Sequence, residues 1–348
     1  HPVYFPANHG REPLFLYLVA AAIAALGRTP GAVRLAAVVS GTLTIPVTYW
    51  MTRAWFKRST ALLSAAILAT MLWHVHLSRT GFRAVTLPLV LAGFLGLTGH
   101  ALRSQKPLAW LGAGALYGLS FYTYVAVRFT PVPLLGLALY LLWAGRRRDL
   151  WPGAAYFAAG AFVSLLPLAV YALNHWHVVM GRPSQVSIFN GAVHGGAFWQ
   201  TLWNHIVRTL GMFFVRGDTI ARHNVPGRPI FTAPLGAAMA VGIVRAGVRA
   251  RKGDAGSALA LGGVAAMLVP TVAAADAPHF LRAVGVLPVL AVLPALGLET
   301  LGRWVARRVH RAWSVILKAL VLTFSLGSTV RDYFVQYEGS AEAAYAFE

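Results

Sequence analysis

Apolar residues in this chain come in long runs broken by short polar stretches. A bilayer core takes about 20 apolar residues per helix. Runs of that order occupy 31–52, 59–76, 84–101, 107–124, 129–145, 151–172, 232–249, 256–274, 279–301 and 312–329. They predict an all-α, polytopic transmembrane helical bundle of about ten helices over residues 31–329. One further run, 13–27, is too short to span comfortably, and counting it as a span would invert the side of every later loop. It reads as a juxtamembrane helix on the outer surface, with Pro13 suited to a first turn and Gly27 to a stop. Residues 1–30 then form an outer loop plus this helix, 173–231 one long outer loop, and 330–348 the start of an outer tail. Within the long loop, Trp199, Leu202, Trp203, Ile206, Leu210 and Phe213 recur at helical spacing. That pattern predicts an amphipathic interfacial helix over 198–214.

The polar connectors orient the bundle. Arg53/Lys57/Arg58, Arg103/Lys106, Arg146/Arg147/Arg148, Arg245/Arg249/Arg251/Lys252 and Arg303/Arg307/Arg308/Arg311 all fall on one side of the predicted spans. Lys and Arg in short loops mark the cytoplasmic side.

Composition agrees with a membrane solvent. Hydrophobic residues make up 57% and charged residues 11% of the chain, under half the roughly 25% charged fraction of soluble domains. The net charge is +20. In this apolar setting it points to anionic lipid or a phosphorylated lipid substrate, and no aromatic-interleaved basic stretch suggests nucleic acid. Cysteine is absent, which excludes disulfides and thiolate metal sites.

The cations sort by type. Lys57, Lys106, Lys252 and Lys318 lie on or near the cytoplasmic side. The outer side carries only arginines: Arg11, Arg28, Arg34, Arg79, Arg83, Arg128, Arg182, Arg208, Arg216, Arg222, Arg228, Arg282 and Arg331. Topology does not require them. A single interfacial arginine commonly snorkels to headgroups. A set of them near span ends, such as Arg79, Arg83, Arg128 and Arg282, suits a phosphate, because guanidinium binds phosphate oxygens in pairs.

Other polar groups carry two readings each. His74 and His76 point in different directions on a helix and read as interface histidines rather than zinc ligands. Asp276, before Pro278, reads as the cap of the next helix. His279 and Arg282 share a helix face. Asp218, Arg222, His223 and Asn224 form a compact polar group that is either a solvated turn or part of a substrate site.

The ordered segments GREPLFLYLVAAAIAALG (10–27), GAVRLAAVVSGTLTIPVTYWMTRAWF (31–56), ALLSAAILATMLWHVHLSRTGFRAVTLPLVL (61–91) and DAPHFLRAVGVLPVL (276–290) resemble the membrane-embedded GT-C glycosyltransferases. The similar groups are protein O-mannosyltransferase-like enzymes and bacterial transferases acting on lipid A and lipopolysaccharide. The resemblance implies transfer of a sugar from a polyprenyl-phosphate carrier to a lipid, glycan or protein acceptor outside the cell membrane, with no cofactor and no metal. It puts Arg11 in the place of the family's basic residue before the proline, facing the carrier phosphate. Arg79, Arg83, Arg128, Arg282, His279, Asp218, Arg222 and His223 are further substrate-binding candidates. The family's catalytic aspartate lies in a first outer loop, so the resemblance places it, and one further span, upstream of His1. Glu12 is the candidate within the chain. The alternatives are a transporter or flippase of a lipid-linked or anionic substrate, which would use the same arginines but should show repeat symmetry, and a non-catalytic scaffold.

Overall fold

The computed structural model describes residues 2–7, 10–179 and 187–347; Arg182 lies outside them. The described chain is helical, with isolated bridges Phe5–Arg11 and Ser187–Ala274 as its pairings of extended backbone. The helices are α1 (Leu14–Leu26), α2 (Pro30–Trp55), α3 (Arg58–Thr70), α4 (Leu72–Arg79), α5 (Thr86–Ser104), α6 (Pro107–Ser120), α7 (Pro131–Trp143), α8 (Arg147–Asn174), α9 (Phe198–Gly211), α10 (Ala233–Arg251), α11 (Ala255–Val272), α12 (Phe280–Leu290), α13 (Val292–Arg308) and α14 (Arg311–Val330).

Among the described residues seven helices are long and apolar enough to cross a membrane, or up to nine if two bent pairs each count as one span. The pairs are α3–α4, bent by 58°, and α12–α13, bent by 40°. The stretch 107–124 is helical only over the 14 residues of α6, about 21 Å at 1.5 Å per residue against a hydrocarbon core of about 30 Å. It accounts for the difference from ten. The protein is a multi-pass membrane protein.

Local chemistry explains where helices start and stop. Thr29 accepts from the Ala32 amide ahead of Pro30, a capped start with proline in the first turn. Gly27 ends α1 with φ +80°, a conformation an L side chain resists. Helix α1 buries only Phe15, as expected of a helix at a surface rather than in the core.

Packing depends on small residues. Helices α10 and α13 approach so closely that a methyl on Gly297 would overlap the Ala238 carbonyl, and one on Gly242 the Leu293 carbonyl. Without a hydrophobic drive inside lipid, such backbone proximity is what holds helices together. The centre of the bundle is the α12–α13 stretch, buried continuously from Ala283 to Leu298. Helix α8 is the opposite case, with 6% of its apolar window buried, so its Phe162, Val163 and Leu173 side chains face lipid.

At one end the basic connectors meet. Arg103 donates to the Arg53 carbonyl at 3.4 Å, and Tyr140 donates to the Ala250 carbonyl at 2.6 Å. The other end, the loop end, carries the 5–11 turn, α1, α9 and the turns at 80–85, 121–130, 216–229 and 275–279. Helix α9 lies there on its polar side. His205 Nδ1 donates to the Val272 carbonyl at 3.0 Å and Thr209 is buried, while Trp199 (78% exposed) and Trp203 (65%) point away from the protein. An outward tryptophan stripe is what an interfacial helix presents to a bilayer.

Candidate functional site

Two polar clusters meet at the loop end. The first begins with the turn at 5–11, where Phe5 and Arg11 exchange backbone hydrogen bonds of 3.0 and 2.7 Å. This turn delivers Glu12 into the protein just before α1. Its carboxylate is 4% exposed and pairs with Arg83 Nε at 3.0 Å. Arg83 stands at the loop-end start of the α5 span and lies over the Tyr124 ring at 5.4 Å. Arg128 comes from the turn before α7 and donates to the Val179 carbonyl at 3.0 Å. Buried Tyr4 lies close to Arg128, Glu12 and Arg83. Burial, opposed by Arg83 and Arg128, pushes the Glu12 carboxyl above its ordinary value. An apolar cleft in the bundle is lined by Leu91, Phe94, Pro133, Leu134, Met267 and Val289 and by Thr130, which follows Arg128 by two residues in the chain.

The second cluster is built from the 216–229 turn and the start of α12. Asp218 is 1% exposed. His223 Nδ1 donates to Asp218 Oδ2 at 3.0 Å, the Phe280 amide donates to the same oxygen at 2.8 Å, and the Ile220 amide donates to Oδ1 at 2.8 Å. Burial opposes ionisation of Asp218, but these three donors outweigh it and hold the carboxyl below its ordinary value. The His223 and His279 rings lie 4.6 Å apart. Burial first, then the charges of His223 and Arg282, push the His279 imidazole down to about 3, so the ring is neutral at physiological pH. Its Nδ1 is buried with no hydrogen-bond partner among the described residues. Ligand atoms of Asp218, His223 and His279 all lie within 4.8 Å of one another. The two clusters adjoin through consecutive residues: Phe82 packs edge-on to His223 at 6.0 Å, and Arg83 pairs with Glu12.

The structure thus brings Glu12, Arg83 and Arg128 together, and separately Asp218, His223 and His279 beside Arg282. Arg11 stays on the turn that positions Glu12. Arg79 is exposed and turned away, over the rings of Tyr333 (5.2 Å) and Phe334 (4.8 Å). The Arg222 side chain is exposed, and its part is its carbonyl, which accepts from His76 Nε2 at 3.1 Å. His74 Nε2 donates to the Gly41 carbonyl at 3.1 Å, so the two α4 histidines bind different backbone groups. The capping role read for Asp276 belongs to Asp218. The first α12 amide donates across 62 residues to Asp218, and Asp276 is exposed. Sequence reading missed Tyr4 and Tyr124, whose only signal was their place within a few residues of Arg11 and Arg128.

The fold that holds these clusters is that of the GT-C membrane glycosyltransferases. Residues 8–173 match the family described as dolichyl-phosphate-mannose-protein mannosyltransferase. The undecaprenyl phosphate-alpha-4-amino-4-deoxy-L-arabinose arabinosyl transferase of Erwinia tasmaniensis is 28% identical over 184 residues, 49% of this chain and 32% of that protein. Among solved structures, the Archaeoglobus fulgidus oligosaccharyltransferase in complex with zinc and sulfate superposes with a TM-score of 0.64 at 17% identity, over 93% of this chain and 44% of that one. ArnT from Cupriavidus metallidurans bound to undecaprenyl phosphate superposes with a TM-score of 0.53 at 13% identity, over 97% and 65%. The chain therefore spans less than two thirds of each of these relatives. All three are transferases and lend the transporter reading no support.

Proposed function

We propose that this chain binds a polyprenyl-phosphate-linked sugar and belongs to a glycosyltransferase that passes the sugar to an acceptor on the outer side of the cell membrane. The observation that carries this reading is the pairing of Arg83 and Arg128 around buried Glu12 at the loop end, with an apolar cleft lined in part by Thr130, two residues after Arg128. A polyprenyl chain fits an apolar, lipid-level cleft, and its phosphate then meets guanidinium groups. The relatives support the same substrate class, since ArnT is described with undecaprenyl phosphate. The loop end is the outer side in this reading, as the basic connectors at the opposite end favour.

Glycosyl transfer from such a donor needs charge stabilisation on the departing phosphate, a base for the acceptor hydroxyl and alignment of the two reactants. Arg83 and Arg128 supply the first. Both are half-buried, and fixed cations are worth more in such a setting than in solution. Glu12 is the candidate base within the chain. Burial raises its pKa, the direction that strengthens a carboxylate as a proton acceptor, while its pairing with Arg83 holds it in place.

The test is transfer from a polyprenyl-phosphate sugar by full-length protein in detergent, with Arg83→Ala and Arg128→Ala. Removing one preorganised donor to a developing anion costs about 10²–10³ in rate. Wild-type rates in both variants would sink the assignment. Detergent abolishes gradients, so product formation there also separates a transferase from a transporter.

A further inference from the structure

We propose that Asp218, His223 and His279 form a binding site for a divalent transition-metal ion of the zinc class. The inference goes beyond glycosyl transfer and does not depend on it.

The donor set is the first argument. One carboxylate and two imidazoles are borderline-soft ligands that suit Zn²⁺ and its neighbours rather than Mg²⁺ or Ca²⁺, which prefer all-oxygen shells. Spacing is the second. The ligand atoms all fall within 4.8 Å, and His223 Nδ1 and Asp218 Oδ2 are 3.0 Å apart. Tetrahedral ligands at about 2.0–2.1 Å from zinc stand roughly 3.4 Å from one another. The widest pair has at most about 1.4 Å to close to reach this spacing. An incoming ion displaces the proton that His223 Nδ1 donates to Asp218 in the metal-free site, and the freed lone pair coordinates in its place.

Support around the ligands is the third argument. Metal-ligating side chains are held by hydrogen bonds to groups behind them. The Asp218 carboxylate is held by the Ile220 and Phe280 amides, which fix both oxygens. His223 is wedged by Phe82 at 6.0 Å. The His279 amide donates to Thr271 Oγ1 at 2.7 Å, which fixes the backbone that carries the ring. The fourth argument is His279 Nδ1. Leaving a buried nitrogen without a partner costs free energy, and among the described residues no hydrogen bond reaches it. An ion between the three side chains gives this ring a partner. Asp218 and His223 lie five residues apart on one turn, while His279 arrives from 56 residues further on. The ion would therefore tie the 216–229 turn to the start of α12, beside Arg83.

The experiment uses untagged full-length protein in detergent, stripped with EDTA, then given Zn²⁺ or Co²⁺ and freed of excess by gel filtration. Metal per chain is measured by mass spectrometry, and Co²⁺ coordination by its visible ligand-field absorption. The expected result is one equivalent of zinc, a Co²⁺ spectrum of low-coordinate nitrogen and oxygen ligation, and at least ten-fold weaker binding in His279→Ala and His223→Ala. His310→Ala, at an exposed helix start, should bind like wild type. His279→Gln keeps the polar volume if His279→Ala does not fold. The wild-type Co²⁺ spectrum needs no variant. Substoichiometric zinc in wild type, or equal binding in wild type and both histidine variants, overturns the site and leaves Asp218 as a hydrogen-bonded clamp.

Discussion

The two clusters at the loop end are neighbours with opposite electrostatics. Around Glu12 one buried carboxylate answers to Arg83 and Arg128, so the balance is cationic. Around Asp218 the carboxylate is saturated by His223 and two amides, and the remaining group is a neutral imidazole. The first suits an anion arriving from outside, because guanidinium groups are always charged. The second leaves His279 Nδ1 without a partner among the described residues, and a cation bound there would replace the proton that His223 shares with Asp218. Two residues in sequence, Phe82 and Arg83, connect the two. The contrast teaches that charge count alone does not define a site; what matters is which groups already have their partners.

Four changes break or sharpen this contrast. Arg83→Ala should have the largest effect. It leaves Glu12 buried without its guanidinium, and losing one partner of a buried pair costs about 3 kcal/mol or more. Denaturant unfolding of the detergent-solubilised protein would measure that, and zinc binding at the other cluster should be unchanged. Asp218→Ala should come next. It strands the Phe280 and Ile220 amides and the His223 ring, at about 2 kcal/mol, and limited proteolysis should report earlier cutting in 216–229. Tyr337→Phe should be smaller. It removes one hydrogen bond of 2.6 Å to the Ala221 carbonyl, about 1 kcal/mol, and leaves the Glu12 cluster untouched. The smallest effect is a slope with pH. Folding raises the Glu12 pKa above the ordinary carboxylate value of 4.5, so the folded state binds its proton more tightly than the unfolded chain does. The resulting stability is present in full below pH 4.5 and is lost as pH rises through the higher folded value. Glu12→Gln should flatten that part of the stability profile, measured by thermal unfolding from acid to neutral pH.

Much of the bundle was legible in the chain. The run at 31–52 gave α2 because Thr29 and Pro30 mark its start and its hydropathy spans a bilayer. Of the arginines on that side, Arg83 and Arg128 are the two that the structure brings beside Glu12. Three things were not legible. The break at Met71 has no proline or glycine to announce it, so the 58° bend between α3 and α4 was hidden in a continuous apolar run. Arg79 shares a short turn with Arg83 in sequence, yet it faces Tyr333 and Phe334, because the helix of α14 runs on through Tyr337 and carries these rings to the loop end. Hydropathy shows that extension only as a polar tail. His279 and the Asp218–His223 pair were each visible, but nothing local says that a turn at 218 will meet a helix start at 280. That contact is decided by packing in the centre of the bundle.

The helical extension of α14 imposes an order in time. The 216–229 turn is anchored by its neighbour His76, but also by Asp332, whose carboxylate takes a 2.7 Å bond from Arg228, and by Tyr337. Both lie more than a hundred residues downstream. A ribosome delivers about 5–20 residues per second, so this turn emerges several seconds before the residues that fasten it. In that interval the helices around it are already entering the bilayer. The polar turn must wait at the membrane surface with its anchors not yet made, and the pocket beside Arg83 becomes complete only when almost the whole of this sequence has been synthesised.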